Sequence, residues 1–329
     1  MKVGLGIRRI SSSLTWTANS RNVPVDRSEL RWMLEKLSIN VASTYFDKSE
    51  AEQETELNKL VNSLNMRQKH RLESWIHARL ASHRPLQYIL GTQPFAGLDL
   101  FVRKPTLIPR WETEEWTLRC VKVIEKNEVS RSSPINILDL CSGSGCIGLA
   151  IAHHIPHTNV LGVDNSVHAI KLASVNARRA NLHSRVKFMQ LDFLRISDTD
   201  AAAQITTRFT HVFDNCSSIF PPFDYVVSNP PYISFQEYGT LDPSVREWED
   251  RAALVGPGED GAGFYPVIAQ IARILLASKK DTEGRVFLEI GGKEQVELVT
   301  NALSDSGFST TPADIWVDLA KNIRVVVGR

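Results

Sequence analysis

The sequence predicts an α/β protein, a doubly wound and mainly parallel sheet covered by helices on both faces and preceded by a small helical domain. Three observations carry this. From Ser133-Pro134 onward, short apolar runs alternate with helix-compatible ones, as in parallel strands joined by crossover helices. Acids stand at the ends of successive predicted strands, at Asp139, Asp164 and Asp192, where open α/β sheets bind their ligands. Upstream, apolar side chains recur at spacings of three and four from Leu30 to Leu80, the period of a helix face.

Length and composition agree. A chain of 329 residues suits two domains, or one large domain with an appendage. Hydrophobic residues at 43% and charged ones at 23% exclude disordered, fibrous and coiled-coil classes. The net charge of +1 argues against a protein that neutralises many phosphates, so naked nucleic acid is not the expected partner. Cys120, Cys141, Cys146 and Cys216 lack the spacing of a disulfide framework or a zinc site, which suits a reducing compartment. The apolar run Cys146 to Ala152 falls far short of the roughly 20 residues that cross a bilayer, so no membrane is expected.

In chain order, residues 1–25 hold Lys2, Arg8, Arg9 and Arg21 and no acid. With Ser11, Ser12 and Ser13 this is the composition of an organelle transit peptide, the plainer alternative being an ordinary tail. Residues 26–90 are expected to form the helical domain: Asp26 and Glu29 resemble a capping box, followed by the face Leu30, Met33, Leu34, Leu37 and Val41. A second region, from Leu57 through Leu64 and from Leu72 through Leu80, reads the same way. Residues 91–110 bring two apolar runs together at Gly97, a hairpin linker. Residues 111–329 are the sheet domain. Its strands are expected at Ile135–Leu140, Val160–Val163, Val186–Met189, Phe223–Val227 and Val286–Ile290, with a final hairpin from 315–317 and 324–327. Its helices are expected at Cys146–His153, Val167–Ala180 and Tyr265–Leu276. Ser197 to Pro222 reads as a long inserted loop. His153-His154-x-x-His157 has no matching fourth ligand and reads as a helix end, so no metal is expected.

The chemistry sits at the strand ends. In Asp139-Leu140-Cys141-Ser142-Gly143-Ser144-Gly145 small residues let the backbone approach a ligand. The turn has neither the G-x-G-x-x-G order nor the Gly-Lys-Ser/Thr ending of a phosphate loop. Asp164 closes the second strand, where an acid accepts hydrogen bonds from both ribose hydroxyls. Asp192 and Phe193 follow the third, placed to meet an adenine amino group and to stack on the base. Together they suit an adenosine without phosphates, as in S-adenosylmethionine, better than a dinucleotide.

The fourth strand ends in Ser228-Asn229-Pro230-Pro231-Tyr232. Pro-Pro alone stops a strand, but a turn has no need of this Asn and Tyr. An amide or aromatic amine nitrogen is a poor nucleophile because its lone pair is delocalised, so an enzyme that methylates one must hold both N–H groups and aim the lone pair. Asn229 offers a side-chain carbonyl, Pro230 a backbone carbonyl stiffened by Pro231, and Tyr232 a ring against which the planar group packs.

On these residues the chain resembles the HemK/PrmC family, protein-(glutamine-N5) methyltransferases that modify peptide chain release factors. The resemblance covers roughly residues 85 to 329. Besides the two turns it rests on Pro85 to Gly91, Leu107-Ile108-Pro109-Arg110-Trp111-Glu112-Thr113-Glu114, Ala253-Leu254 with Gly258 to Gly261, and Leu288-Glu289-Ile290-Gly291. It implies a seven-stranded, Rossmann-like class I methyltransferase dependent on S-adenosylmethionine, with donor contacts at Cys141 to Gly145, Asp164 and Phe193. It further implies a grip on the target glutamine at Asn229 to Tyr232, and a helical domain that helps hold the release factor while its Gly-Gly-Gln loop enters the pocket. Cys141 stands where many members have glycine, Trp111 where proline is usual, and Ser244 where an acid is frequent.

The run Trp111 to Trp116 and the basic leader make the mitochondrial members the nearest resemblance. The expectation is therefore a monomeric enzyme of the mitochondrial matrix that methylates a release factor glutamine. Two rivals stand beside it. An adenine-N6 methyltransferase on DNA or RNA faces the same geometric problem, but it must bind phosphates and extrude the base, and residues 91–329 carry a net charge of −4. A catalytically idle donor-binding scaffold is opposed by the intact Asn229 and Asp164.

Overall fold

The computed structural model describes residues 15–18, 21–129, 133–194, 203–205, 207–209, 222–276 and 285–329. They fall into two compact units, one comprising the described residues up to Gly91 with Pro243–Trp248, the other Thr92–Asp242 with Glu249–Arg329.

The first unit opens with an antiparallel pair, β1 (Thr15–Ala18) and β2 (Arg21–Pro24). The remainder of the basic leader, residues 1–14, 19 and 20, lies outside the described residues. Four helices follow: α1 (Arg27–Lys36), α2 (Glu50–Ser63), α3 (Met66–Ala81) and α4 (Leu86–Leu90). Asp26 starts α1 by accepting from the Ser28 and Glu29 amides at 2.8 and 3.0 Å. Glu29 does not complete the expected box. It forms a two-pronged pair with Arg79 at 2.9–3.0 Å and so ties α1 to α3. Capping boxes do open α2 at Ser49 and α3 at Asn65. Leu30, Met33, Leu34, Leu57, Val61, Leu72 and Ile76 meet in this unit's core, where the helical spacing places them.

The second unit is built on a seven-stranded sheet of order β10-β11-β9-β8-β5-β6-β7. The central strands β5 (Ile135–Leu140), β6 (Thr158–Asp164), β7 (Val186–Gln190), β8 (Tyr225–Ser228) and β9 (Val286–Glu289) run parallel. β10 (Ile315–Val317) and β11 (Ile323–Gly328) add the expected antiparallel edge. Each predicted strand and helix of the sheet domain is present within a residue or two.

Both faces of the sheet are covered, which is why the strands read as nearly continuous apolar runs. Ile135, Ile137 and Val160 pack with α6 (Cys146–His154). Leu138, Leu161 and Val226 pack with the helix Phe264–Leu275 on the other side. Strand order reverses at β5, so a crevice opens beyond the carboxyl ends of β5 and β8.

The segment expected as a linker is a hairpin, β3 (Thr92–Phe95) and β4 (Leu98–Phe101), and it belongs to the sheet unit. It turns at Ala96-Gly97, both at positive φ (48° and 83°), which matches the twist of a two-residue hairpin. Phe95 and Leu100 enter the core. Fully buried Asn176, on α7 (Val167–Arg179), accepts from the Phe101 amide at 2.8 Å and donates to the carbonyls of Phe101 and Ser144 at 3.1 and 3.0 Å. His154, at the end of α6, bonds the Ala96 carbonyl at 3.1 Å through Nε2. Most of Ser197 to Pro222 lies outside the described residues, but 203–205 and 207–209 are helical, and Ile205 and Phe209 are buried in the sheet core. That part of the stretch is therefore not the open loop its composition suggested.

Phe188 of β7 lies so close to Gly162 that a Cβ there would sit 2.3 Å from the ring. Gly162→Ala is expected to cost about 2 kcal/mol of stability in denaturant unfolding, because a packed core resists an added methyl. Adding Phe188→Leu is expected to recover part of the loss; an unchanged midpoint for the single variant would show that the ring moves aside freely.

Candidate active site

β5 leads into the turn Cys141 to Gly145 and then into α6. The backbone is left-handed at Cys141, Gly143 and Gly145 (φ 60°, 54° and 81°), a region where glycine costs least, so Cys141 is held there by its surroundings. Those surroundings are specific. The Ser142 amide donates to the Val163 carbonyl at 3.0 Å and the Gly145 amide to the Ser142 carbonyl at 2.7 Å. The Gly143 amide donates to Asp164 Oδ2 at 2.9 Å, and the Ser166 amide to Oδ1 of the same carboxylate at 2.9 Å. Asp164, the last residue of β6, is thereby fixed by one N–H on each oxygen and keeps lone pairs for a ligand. Burial pushes its carboxyl above the ordinary range against those two bonds. The Cys141 thiol is raised by burial as well and stays neutral.

Cys141, Gly143, Asp164, Asp192, Phe193, Asn229 and Pro231 line one cavity, together with Asn165, Ser166, Ala169, Leu191, Leu194 and Phe264. Phe193 is held edge-on to Phe264, with centroids 6.1 Å apart at 72°, and it flanks an apolar slot between Leu191 and Leu194. The Asp192 Oδ1 accepts from the Leu194 amide at 3.2 Å.

Asp139, Ser142 and Ser144 are buried and are not among the residues that line the cavity. Asp139 Oδ2 accepts from the Gly148 amide at 3.0 Å in the first turn of α6. Among the described residues its other oxygen and the Ser142 hydroxyl have no hydrogen-bond partner. Gly145 starts α6 against Phe188, Pro230 is buried, and the Tyr232 hydroxyl turns toward Glu289 at 3.3 Å.

Sequence reasoning missed the opposite wall, Thr106, Leu107, Asp250, Ala252 and Ala253. It comes from two loops far apart in the chain, joined by the Asp250 amide on the Pro105 carbonyl (3.0 Å) and by Arg110 on both oxygens of buried Glu249 (2.7 and 2.8 Å). Arg110 pairs with Glu249, while Glu112 faces Arg324 at 4.0 Å. No periodicity marks such loops, and their traces in the sequence were the motifs beginning at Leu107 and at Ala253.

The Asn-Pro-Pro-Tyr turn is clamped from below. The Ile233 amide donates to the Leu254 carbonyl at 2.9 Å, Gly256 donates back to the Ile233 carbonyl at 3.1 Å, and Gln295 Nε2 bonds the Tyr232 carbonyl at 2.9 Å. A Cβ on Gly256 would lie 2.6 Å from the Pro231 carbonyl oxygen, so only glycine lets the strands approach. Asn229 Nδ2 donates to Thr113 Oγ1 at 3.2 Å, and Thr113 donates to Glu289 Oε2 at 2.7 Å. The Trp116 indole donates to the same Oε2 at 2.6 Å. Burial raises the Glu289 carboxyl despite these donors, and it holds the Tyr232 phenol far above its ordinary value and neutral. Among the described residues nothing donates to Asn229 Oδ1 or to the Pro230 carbonyl.

The turn after β5, the acid that ends β6, and Asn229 and Pro231 after β8 thus line one cavity at the carboxyl edge of the sheet. Residues 131–239 match the family model described as a methyltransferase domain. Over longer spans the chain is 34% identical over 255 residues to a probable MRF1 mitochondrial N(5)-glutamine methyltransferase of Schizosaccharomyces pombe, covering 75% of each. It is 39% identical over 238 residues to the release factor glutamine methyltransferase of Geobacter sulfurreducens, covering 70% of this chain and 69% of that one. The human MTRF1L release factor glutamine methyltransferase is 34% identical over 257 residues, 77% of this chain and 68% of its own. The chain belongs to the release factor glutamine methyltransferase family.

Asp139 gives the site a pH signature. Burial, with Asp164 adding to it, pushes its carboxyl from 3.8 up to about 8. The folded state then binds the proton more tightly than the unfolded one, so the stabilisation is complete below about 4 and is lost as pH rises through about 8. Thermal unfolding of the ligand-free protein is expected to show stability falling across that window, with Asp139→Asn flattening the fall. An identical slope in the variant would assign the pH dependence elsewhere.

Proposed function

We propose that this chain transfers the methyl group of S-adenosylmethionine to the side-chain amide nitrogen of the glutamine in the Gly-Gly-Gln loop of a mitochondrial peptide chain release factor. One observation carries the reading most directly: Asn229 is anchored through its nitrogen and presents a bare oxygen beside the cavity. That is the polarity needed to accept an N–H from a primary amide.

The cavity fits an adenosyl donor. In this reading Asp164 takes the ribose hydroxyls, Asp192 an exocyclic amine, and Phe193 with Leu191 and Leu194 the base, all of them residues that line the same cavity. Asp139 Oδ1 and the Ser142 hydroxyl, without a hydrogen-bond partner among the described residues, add polar capacity at the turn after β5. When bound, the donor supplies an electrophilic methyl carbon.

The chain's own residues do the rest by placement. Asn229 Oδ1 and the Pro230 carbonyl take the two amide hydrogens, which fixes the plane of the amide and aims its lone pair along the transfer axis. Pro231 removes the flexibility that would let the Pro230 carbonyl turn away. Tyr232 stays a neutral phenol against Glu289, so its ring packs the planar group and does not act as a base. Formation of the N–C bond would be matched by cleavage of the donor's methyl–sulfur bond, the pair returning to sulfur as a neutral thioether, and one of the two held protons leaves through its acceptor oxygen to solvent. In this reading the helical unit helps hold the release factor, and the protein works as a single chain. The acid-free basic leader and the mitochondrial relatives support a matrix location.

The reading is tested by incubating the purified protein with methyl-labelled S-adenosylmethionine and either a mitochondrial release factor or DNA, then mapping the label. The expected product is the methylated Gly-Gly-Gln glutamine; label on adenine would overturn it. Asn229→Ala is expected to lower turnover about 10²- to 10³-fold, the effect of losing one aligned polar contact to the reacting group, with donor affinity unchanged. Asp164→Ala is expected to weaken donor binding about tenfold or more by calorimetry, a charge-assisted hydrogen bond contributing about 1.5–3 kcal/mol.

A further inference from the structure

We propose that Thr113, oriented by the buried carboxylate of Glu289, is a positioning residue that decides which face of the Asn229 amide meets the substrate. The proposal rests on the reading above, in which Asn229 Oδ1 accepts a substrate N–H.

The oxygen and nitrogen of an Asn side chain are nearly the same size, and a half-turn exchanges them. Flipped, Asn229 would present two N–H donors to a substrate amide that also presents donors, and capture would fail. Packing alone does not choose between the two orientations; hydrogen-bond polarity does. The choice traces back to an indole. Trp116 Nε1 is a donor with no acceptor capacity, so Glu289 Oε2, 2.6 Å away, must be an acceptor there. Were the carboxyl protonated, its hydrogen would sit on Oε1, toward Tyr232, and leave Oε2 as it is. Thr113 has a single hydroxyl proton and commits it to the same Oε2 at 2.7 Å. Its lone pair is what remains for Asn229, at 3.2 Å, and a lone pair selects the nitrogen. Donor-only Trp116, acceptor Glu289, donor-then-acceptor Thr113 and donor Asn229 Nδ2 thus form a one-way chain that ends with Oδ1 facing the cavity.

The elements make this chain rigid. Thr113 lies in the first turn of α5 (Trp111–Asn127), Glu289 ends β9, and Asn229 follows β8, the neighbouring parallel strand. Thr113 and Glu289 are each 1% exposed, so water does not compete for these atoms.

Thr113→Val keeps the shape and deletes the hydroxyl. It is expected to lower kcat/KM for the release factor about 10- to 100-fold while donor affinity stays close to that of the parent. Thr113→Ser restores the hydroxyl and is expected to recover most of the loss. In an Asn229→Ala background, Thr113→Val is expected to change turnover less than about twofold, since it acts through the side chain already removed. Glu289→Gln is expected to lose less than Thr113→Val, because the Trp116 donor selects the amide oxygen at the shared position. Wild-type turnover in Thr113→Val, a multiplicative loss in the Asn229→Ala background, or a Thr113→Ser as deficient as Thr113→Val would each overturn the relay. A Glu289→Gln loss as large as that of Thr113→Val would overturn the argument that an acceptor oxygen at that position is all the relay needs. If the parent protein itself leaves the release factor unmethylated, it is the functional reading that has failed, and the relay falls with it.

Discussion

Everything at the site depends on β5 and β8 lying side by side. Leu140 is registered opposite Ser228, and the Ser228 hydroxyl donates to the Leu140 carbonyl at 2.7 Å. This contact joins residues 88 apart in sequence and sets the donor turn beside the Asn-Pro-Pro-Tyr turn. Since both strands are parallel and buried on both faces, their polar chemistry has one place to emerge, the carboxyl edge, and the reversal of strand order at β5 opens the crevice there. Rossmann-like sheets share this edge, and what distinguishes this one is which side chains the two adjacent turns bring to it.

The interior just behind that edge holds two carboxyl groups, and they are treated differently. Glu289 takes three donors from Thr113, Trp116 and Tyr232, so its burial is compensated and the result is rigidity around Asn229. Asp139 takes one amide and leaves an oxygen bare, so its burial is relieved by holding a proton. The surroundings of Asn229 are thus held by a satisfied network, whereas the turn after β5 keeps unmet polar capacity at Asp139 and Ser142 among the described residues. Under the proposed function that division would suit a reaction whose rate comes from alignment, with the residues around Asn229 fixed in advance.

Local chemistry was legible wherever it followed from backbone periodicity or from a turn with few conformational options. Strand ends at Asp139, Asp164 and Asn229 and the core stripe of Leu30, Met33 and Leu34 could be read because burial on a regular element imposes a period. Asp26 was readable as a cap, but Glu29 was not readable as the partner of Arg79, since a side chain that satisfies a local rule can gain more from a distant guanidinium. Thr106, Leu107 and the 250–253 loop carry no periodicity that would mark them as one wall, for the two loops meet through contacts such as Asp250 on Pro105 and Arg110 on Glu249. Ile205 and Phe209 were hidden in a polar stretch because two isolated apolar residues carry no period.

By itself, then, the sequence determined the class of fold, the order of its strands along the chain, the turn that ends each of them and the residue types that a planar amide requires. It did so because strand burial, proline and glycine act within a few residues of where they stand. Tertiary structure decided which turns face each other, which loops close the far wall, and which way the Asn229 amide points. Those outcomes rest on hydrogen bonds from Thr113 to Glu289 and from Asn229 to Thr113, across 176 and 116 residues of chain, and no local pattern records a partner that only folding brings within reach.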